Sequence, residues 1–399
     1  MSVPPTSAPS ESQSTIPCSL REFLAYFLYL GTFGFGGPIA LAGYMQRDLV
    51  ERRRWISKED YVDGLALAQL APGPLAAQLA IYLGYVRAGL LGATLVALAF
   101  VLPSFLMVLA ISWLYVRFGG LAWMQALFYG IGAAVIGIIV RSAYKLVKLT
   151  LGTDRALWAI FVVLAAVTAI TQTEIAWLFF VAGFLYLALK VPMNRWLVPS
   201  TASAVGWMAV HRSAEAATAE MVPATAPRLF GFFAKAGAMV FGSGLAIVPF
   251  LYGGVVNEYH WLTERQFMDA VAVAMITPGP VVITVAFIGY LVRGLWGASL
   301  AALGVFLPVY LFVVIPSRWF KKYAKDPRLN AFVNGVTAAA TGAIAGACVV
   351  LARRAIVDVP TALIALTTLA VLIKIKKVPE PLIIAVAGIL GLVLFQGAR

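Results

Sequence analysis

The chain has 399 residues, 62% of them hydrophobic and only 12% charged, with a mean hydropathy of +0.91. Soluble domains carry roughly a quarter of their residues as charges, so a water-facing globule is excluded, and no alternating ten-residue segments suggest a membrane barrel. The formal charge of +13 lies in short basic runs at segment ends, which read as cytoplasmic loops facing anionic lipid and not as a nucleic-acid surface.

Residues 1–20 are rich in Pro, Ser and Thr and lack a basic n-region, which predicts a flexible tail and not a cleaved signal. A first membrane repeat, 21–190, holds apolar segments near 22–46, 61–86, 89–116, 121–144, 156–171 and 173–190. Several reach the roughly 20 residues needed to cross about 30 Å of hydrocarbon. Residues 191–228 carry Pro192, Pro199, Pro223 and Pro227 and read as a linker, with a short interfacial stretch near 196–210. A second repeat, 229–399, holds segments near 229–256, 266–292, 294–316, 330–352, 359–374 and 379–396.

Self-comparison ties the halves together. Trp55-Ile56-Ser57-Lys58-Glu59-Asp60, running on to Pro72-Gly73-Pro74, returns 206 residues later as Trp261-Leu262-Thr263-Glu264-Arg265-Gln266, ending in Pro278-Gly279-Pro280. Phe35-Gly36 matches Phe241-Gly242 and Arg87 matches Arg293 at that spacing, while Leu102-Pro103 matches Leu307-Pro308 after a one-residue slip.

Ser57-x-x-Asp60 and Thr263-x-x-Gln266 resemble capping boxes and mark helix starts. A helix from Lys58 to Ala71 rises roughly 21 Å, too short to span. Pro72 and Pro74 end it by removing donors, and Pro74 suits the first position of a new helix to about Tyr85. The result is a re-entrant hairpin or a broken span. Loop charge favours re-entry. A hairpin that returns to its side of origin keeps three basic clusters on one face: Arg47, Arg52, Arg53, Arg54 and Lys58; Arg141, Lys145, Lys148 and Arg155; and Lys190, Arg195, Arg212 and Arg228. Arg318, Lys321, Lys322, Lys325, Arg328, Lys374, Lys376 and Lys377 join them, and Arg353 and Arg354 disagree. The expected fold is an all-α polytopic membrane protein of two inverted homologous repeats. Five crossings per half give about ten spanning helices plus two re-entrant or broken hairpins.

Broken helices expose N–H groups and a positive dipole end, which can hold an oxyanion without burying cations at about 2.5–3.5 kcal/mol each. The candidate cradles are Pro72-Gly73-Pro74, Pro278-Gly279-Pro280, Gly34-Phe35-Gly36-Gly37-Pro38 and Gly242-Ser243-Gly244. Gln69, Gln78, Thr277, Thr284 and Ser243 offer polar side chains beside them, with helix–helix hydrogen bonding as the competing role. Arg87 and Arg293 either attract substrate or snorkel to the interface. Lys235 poses the same alternative. Asp63 and Asp269, the mirrored carboxylates, are candidates for proton coupling or for an interfacial structural role.

Cys18 and Cys348 are far apart, and His211 and His260 lie in connections, so neither a metal site nor a catalytic set is expected. No cofactor motif is present.

Phe-Gly-Gly-Pro at 35–38, paired with Ala-Pro-Gly-Pro at 71–74 and duplicated across nearly the whole chain, resembles the chromate ion transporter family in its long two-domain form. The resemblance implies proton-driven efflux of chromate across the bacterial inner membrane, and chromate resistance. It carries the family's motif onto Gly36, Gly37, Pro38, Pro72, Gly73, Pro74 and Arg87, and onto Gly242, Gly244, Pro278, Gly279 and Pro280. The second half departs where Gly37, Pro38 and Gln69 become Ser243, Gly244 and Met275, so the first half is expected to make more of the substrate contacts. Spacing and composition leave sulfate or another oxyanion open as the solute, and a homodimer open as the assembly. The competing classes are a sulfate-type channel or importer, a lipid translocase with re-entrant hairpins and, without redox ligands to favour it, a chromate reductase.

Overall fold

The computed structural model describes residues 16–35, 37–118, 122–171, 176–191, 223–240, 244, 247–320, 326–375, 378 and 380–395. Fourteen α-helices occur among them, seven from each half in the same order.

α1 (Leu20–Phe33) opens on a capping box in which the Glu22 N–H donates to Ser19 Oγ and the Ser19 N–H donates to the Glu22 carboxylate. The helix stops at Gly34, whose backbone is extended. α2 (Gly37–Met45) follows and continues into a π-helical turn, Gln46–Arg52. The chain has folded back by then. The Ile16 N–H donates to the Arg54 carbonyl at 2.8 Å, the Phe23 ring lies 6.3 Å from that of Trp55, and the Arg53 guanidinium covers Tyr26 and Trp55. The apolar segment near 22–46 is therefore not one continuous helix, contrary to the sequence expectation of a first crossing there. Gly34 leaves the helical conformation, and Pro38 has no N–H with which to continue the ladder.

α3 (Lys58–Leu70) starts at its predicted cap, where Ser57 Oγ accepts the Asp60 N–H at 3.0 Å. It ends before Pro72. α4 (Leu75–Phe118) begins directly after Pro74 and is broken at Ala88 (φ −150°) and Gly89 (φ +59°) into arms 75–87 and 90–118. A Cβ on Gly64 would run into the Tyr82 ring. Those two residues lie at similar distances on either side of the Pro-Gly-Pro turn, so α3 and the first arm are antiparallel. A Cβ on Gly84 would stand 2.6 Å from the Gly92 carbonyl, so the chain reverses again at Gly89. Helices 58–70 and 75–87 each rise about 20 Å, short of the bilayer core.

The second half repeats this plan with α8 (Ala226–Met239), α9 (Ile247–Tyr252) and its π turn Gly253–Glu258, and α10 (Glu264–Ile276), which has a complete Thr263/Gln266 capping box. A 3-10 turn, Val281–Ile283, leads into α11 (Thr284–Ser317), broken at Arg293 (φ −148°) and Gly294 (φ +61°). Gly89 and Gly294 are 205 residues apart, while Gly73 and Gly279 are 206 apart. The tighter 3-10 winding falls where the residue is lost. The slip thus precedes Arg87, whose backbone counterpart is Val292 and not Arg293.

α5 (Ala122–Thr150), α6 (Arg155–Thr171) and α7 (Ala176–Lys190) complete the first half; α12 (Pro327–Ala355), α13 (Val359–Lys374) and α14 (Glu380–Leu394) complete the second. Their packing is exchanged between halves: α6 and α7 lie on α12, and α13 and α14 lie on α5. Glycines make the close approaches, with Gly342 and Gly346 against the carbonyls of Phe161 and Ala165, and Gly130 against that of Ala387. Four helical stretches, 75–118, 123–148, 281–317 and 327–355, are long and apolar enough to cross a membrane, the two broken ones leaving their arms 90–118 and 295–317 as the lengths that can do so. α6, α7, α13 and α14 supply shorter apolar helices. The equivalent arms 90–118 and 295–317 touch, the Thr94 and Tyr310 hydroxyls being 2.8 Å apart.

Candidate functional site

The ends of α1, α3, α8 and α10 converge. The Gly73 N–H donates to the Val240 carbonyl at 2.5 Å, and the Gly279 N–H donates to the Gly34 carbonyl at 3.0 Å. Donors and acceptors are each 206 residues apart, so the two bonds are one contact made twice. Each Pro-Gly-Pro tip is thus tied to the glycine-rich tip of the opposite half. The middle residue must be glycine, because φ is +144° at Gly73 and +93° at Gly279. Gly73, Pro74, Pro278, Gly279 and Pro280 are buried and Pro72 is half-buried.

Each tip also starts a helix. The Ala77 and Gln78 N–H groups bond the Pro74 carbonyl at 3.0 and 3.1 Å, so Leu75 and Ala76 supply the remaining donors of the first turn. Gln78 is fully buried. Its amide nitrogen donates to the carbonyls of Pro72 at 2.7 Å and Ala71 at 3.3 Å, while its Oε1 has no hydrogen-bond partner among the described residues. In the second half the 3-10 turn occupies this place. The Thr284 hydroxyl, 1% exposed, turns back onto the Val281 carbonyl at 2.8 Å. The Thr277 hydroxyl bonds the Val273 carbonyl, also inside its own helix. Both threonines are near the tip, but their hydroxyl protons are spent on backbone.

Sequence reasoning missed Ser104. This fully buried serine on the long arm of α4 donates to the Gly31 carbonyl at 3.3 Å and stands so close to Gly279 that a Cβ there would strike its Oγ. The available signal was a hydroxyl directly after Pro103, where the second half has Val309 after Pro308.

Other predicted residues lie apart from the tips. Arg87 donates to the Cys18 carbonyl, and Arg293 donates to the Ala224 carbonyl at 3.4 Å. Cys18 and Ala224 again differ by 206, so the two guanidinium groups reach matching carbonyls despite the backbone slip. Both arginines tie the outer end of a hairpin to the start of its half, about 20 Å along the helix from the Pro-Gly-Pro turn. Lys235 is exposed, its Nζ 5.8 Å from the Phe250 ring centre. Gly37 (φ +75°) and Pro38 are half-buried beyond the first tip, whereas Gly244 does reach a tip, buried against Val281 and Val282 directly after Pro280. Gln69 is exposed on α3. Gly36, Gly242 and Ser243 lie outside the described residues.

The mirrored carboxylates differ. Asp269 is 6% exposed and accepts a 2.7 Å hydrogen bond from the Tyr115 hydroxyl of the opposite half. Asp63 is half-buried, two residues after Tyr61, whose own hydroxyl donates to the Ala42 carbonyl at 2.9 Å.

Each pair of tips sets the start of a helix, with the free amides of its first turn, at hairpin depth. That suits a compact anion. A sequence model described as "Chromate transporter" matches the chain twice, over residues 21–187 and 227–392. The chain is 62% identical to the chromate transport protein of Cupriavidus metallidurans over 98% of both chains. It is 56% identical to a probable chromate transport protein of Synechococcus elongatus over 95% of this chain and 96% of that one. It is 34% identical to the chromate transport protein of Pseudomonas aeruginosa over 95% and 93%. No solved structure matches.

Proposed function

We propose an oxyanion-export function from one premise: the chain belongs to the chromate transporter family. Chromate is its solute, moved out of the cytoplasm across the bacterial inner membrane at the expense of the proton gradient, and chromate resistance follows. Residues 21–190 and 229–399 act as two inverted membrane repeats joined by the 191–228 linker. The contact of Thr94, near the start of arm 90–118, with Tyr310, in the latter part of arm 295–317, supports that inversion, since equivalent spans related by an axis in the membrane plane run in opposite directions.

The observation that carries the reading is the paired bond between tips, Gly73 to Val240 and Gly279 to Gly34. It sets two helix starts beside each other at hairpin depth, where a dianion meets dipole ends without a buried cation. The contacts fall to the backbone around Gly36, Gly37, Pro38, Pro72, Gly73, Pro74, Gly242, Ser243, Gly244, Pro278, Gly279 and Pro280, with Gln78 and Ser104 completing the wall. Asp63 and Asp269 are the carboxylates that take up and release the coupling proton. Arg87 and Arg293 hold the hairpin ends and do not touch the anion.

The test is chromate accumulation in cells with and without the protein, repeated after uncoupling, together with counterflow of chromate against sulfate in proteoliposomes. Lower total chromium that is abolished by an uncoupler is expected. Equal accumulation in both strains, or counterflow with sulfate alone, would sink the chromate reading.

A further inference from the structure

The two hairpins match residue for residue, yet their surroundings differ. Along α10 every residue from Phe267 to Met275 is buried, with Met268 at 9% and Met275 at 6% exposure. At the matching places on α3, Val62 is 53% exposed, Asp63 is half-buried and Gln69 is exposed. The exposed Gln69 amide, close to the tip, would be costly against hydrocarbon, and that is the reason to read this stripe of α3 as facing water.

What closes the α10 side is specific. α5 and α14 lie against the helix, and the Tyr115 hydroxyl holds Asp269. Farther out, Glu264 pairs with Arg354 at the end of α12. The Arg354 guanidinium lies 4.8 Å from the Tyr252 ring centre, and the Tyr252 hydroxyl donates to Glu264 at 3.2 Å. The first half has no chemistry for such a cluster. Glu264, Arg354 and Tyr252 correspond to Lys58, Leu149 and Gln46, and Tyr115 corresponds to Phe320.

We infer that the structure is a one-side-open state in which water reaches the first Pro-Gly-Pro tip along Val62, Asp63 and Gln69, while Glu264, Arg354 and Tyr252, with Tyr115 on Asp269, form the closed gate of the opposite face. Opening that latch while α3 seats against its own scaffold produces the complementary state. The assignment of the two openings to opposite faces rests on the inverted arrangement proposed above; the difference between an open and a latched hairpin does not.

The experiment uses the full chain in right-side-out and inverted membrane vesicles, with Cys18→Ser and Cys348→Ser as background. Single cysteines at Gln69→Cys and Met275→Cys are labelled with a charged, membrane-impermeant thiol reagent. Gln69→Cys is expected to label rapidly from one face, and Met275→Cys to be protected from both. Adding Glu264→Gln or Arg354→Gln removes one ion pair and raises Met275→Cys labelling about fivefold from the other face, while Gln69→Cys slows. The charge-reversed pair Glu264→Arg with Arg354→Glu restores protection, which separates a latch from general misfolding. Equal labelling of both cysteines with the latch intact, or labelling of Met275→Cys indifferent to the ion pair, would overturn the gate. Labelling of both cysteines from one face after unlatching would overturn the inverted arrangement instead.

Discussion

Gly73→Ala tests the tip directly. At φ +144° an L-residue is strained, and a Cβ would stand 2.6 Å from Gln78 Nε2 and 2.7 Å from its Cδ. The Gln78 amide must then leave the Pro72 and Ala71 carbonyls, which it now bonds at 2.7 and 3.3 Å. Two neutral hydrogen bonds contribute about 2 kcal/mol together, and the backbone strain adds about 1–3 kcal/mol. A tip displaced at a cost of about 3 kcal/mol or more slows transport by at least about 100-fold. The assay is chromate counterflow in proteoliposomes, with thermal unfolding in detergent as the check on folding. Because both substitutions remove the same two bonds, Gly73→Ala with Gln78→Ala should be no slower than Gly73→Ala alone. Gly89→Ala is the comparison: its φ of +59° is also left-handed, but a Cβ there meets nothing within 4 Å, so only about 1–2 kcal/mol is lost. A wild-type rate for Gly73→Ala, or independent addition of its effect to that of Gln78→Ala, would refute the reasoning.

Three further outcomes follow from named contacts. Ser104→Ala removes one long hydrogen bond and should cost about 1 kcal/mol of stability, whereas Ser104→Leu should abolish transport by pushing on Gly279; thermal unfolding and counterflow check the two. Asp63→Asn should flatten the pH dependence of chromate transport, and a profile identical to wild type would remove Asp63 from coupling. Asp154 caps α6, and the Lys190 ammonium at 2.6 Å, then the Tyr186 hydroxyl and helix amides, hold its carboxyl at about 2, below its usual 3.8. Its stabilising effect is therefore complete above about pH 4 and lost as pH falls through 2. Asp154→Asn should remove that acid-dependent drop in the detergent melting temperature while lowering the plateau at neutral pH.

The hairpins were legible because their signals are local. Ser57 and Thr263 accept the amides three residues on, and the helices stop where two prolines withdraw donors. The breaks after 86 and 292 were legible too, since Gly89 and Gly294 interrupt apolar runs of differing register. The fold-back of α1 was not. The glycines and Pro38 marked a break, but the contacts that reveal the return, Ile16 to Arg54 and Phe23 to Trp55, join residues with no shared pattern. The bonds between tips could not have been read either, because a backbone amide meeting a carbonyl of the other half has no side-chain signature. For Arg87 and Arg293 the sequence left two roles open, substrate attraction and snorkelling, and it could not show that each reaches a carbonyl at the start of its own half.

The doubled backbone carries unequal side chains, and the inequality has a direction. Where the first half has Gln78 and Ser104, the second has Ile283, followed by Thr284 committed to its own turn, and Val309. Polar wall residues therefore gather on first-half helices, while the second-half hairpin contributes buried apolar faces and the latch of Glu264 and Arg354. Symmetry in the tips is needed for both hairpins to reach one anion; symmetry in the walls is not. A gate that seals with methionines and an ion pair holds water out more firmly than one lined by Asp63 and Gln69. If the halves share one anion site, exchanging Met275 for Gln should loosen the sealed side, and exchanging Gln69 for Met should tighten the open one. Thiol labelling at neighbouring positions reads both changes, and opposite shifts in the two variants are the result that unequal gates around one shared centre require.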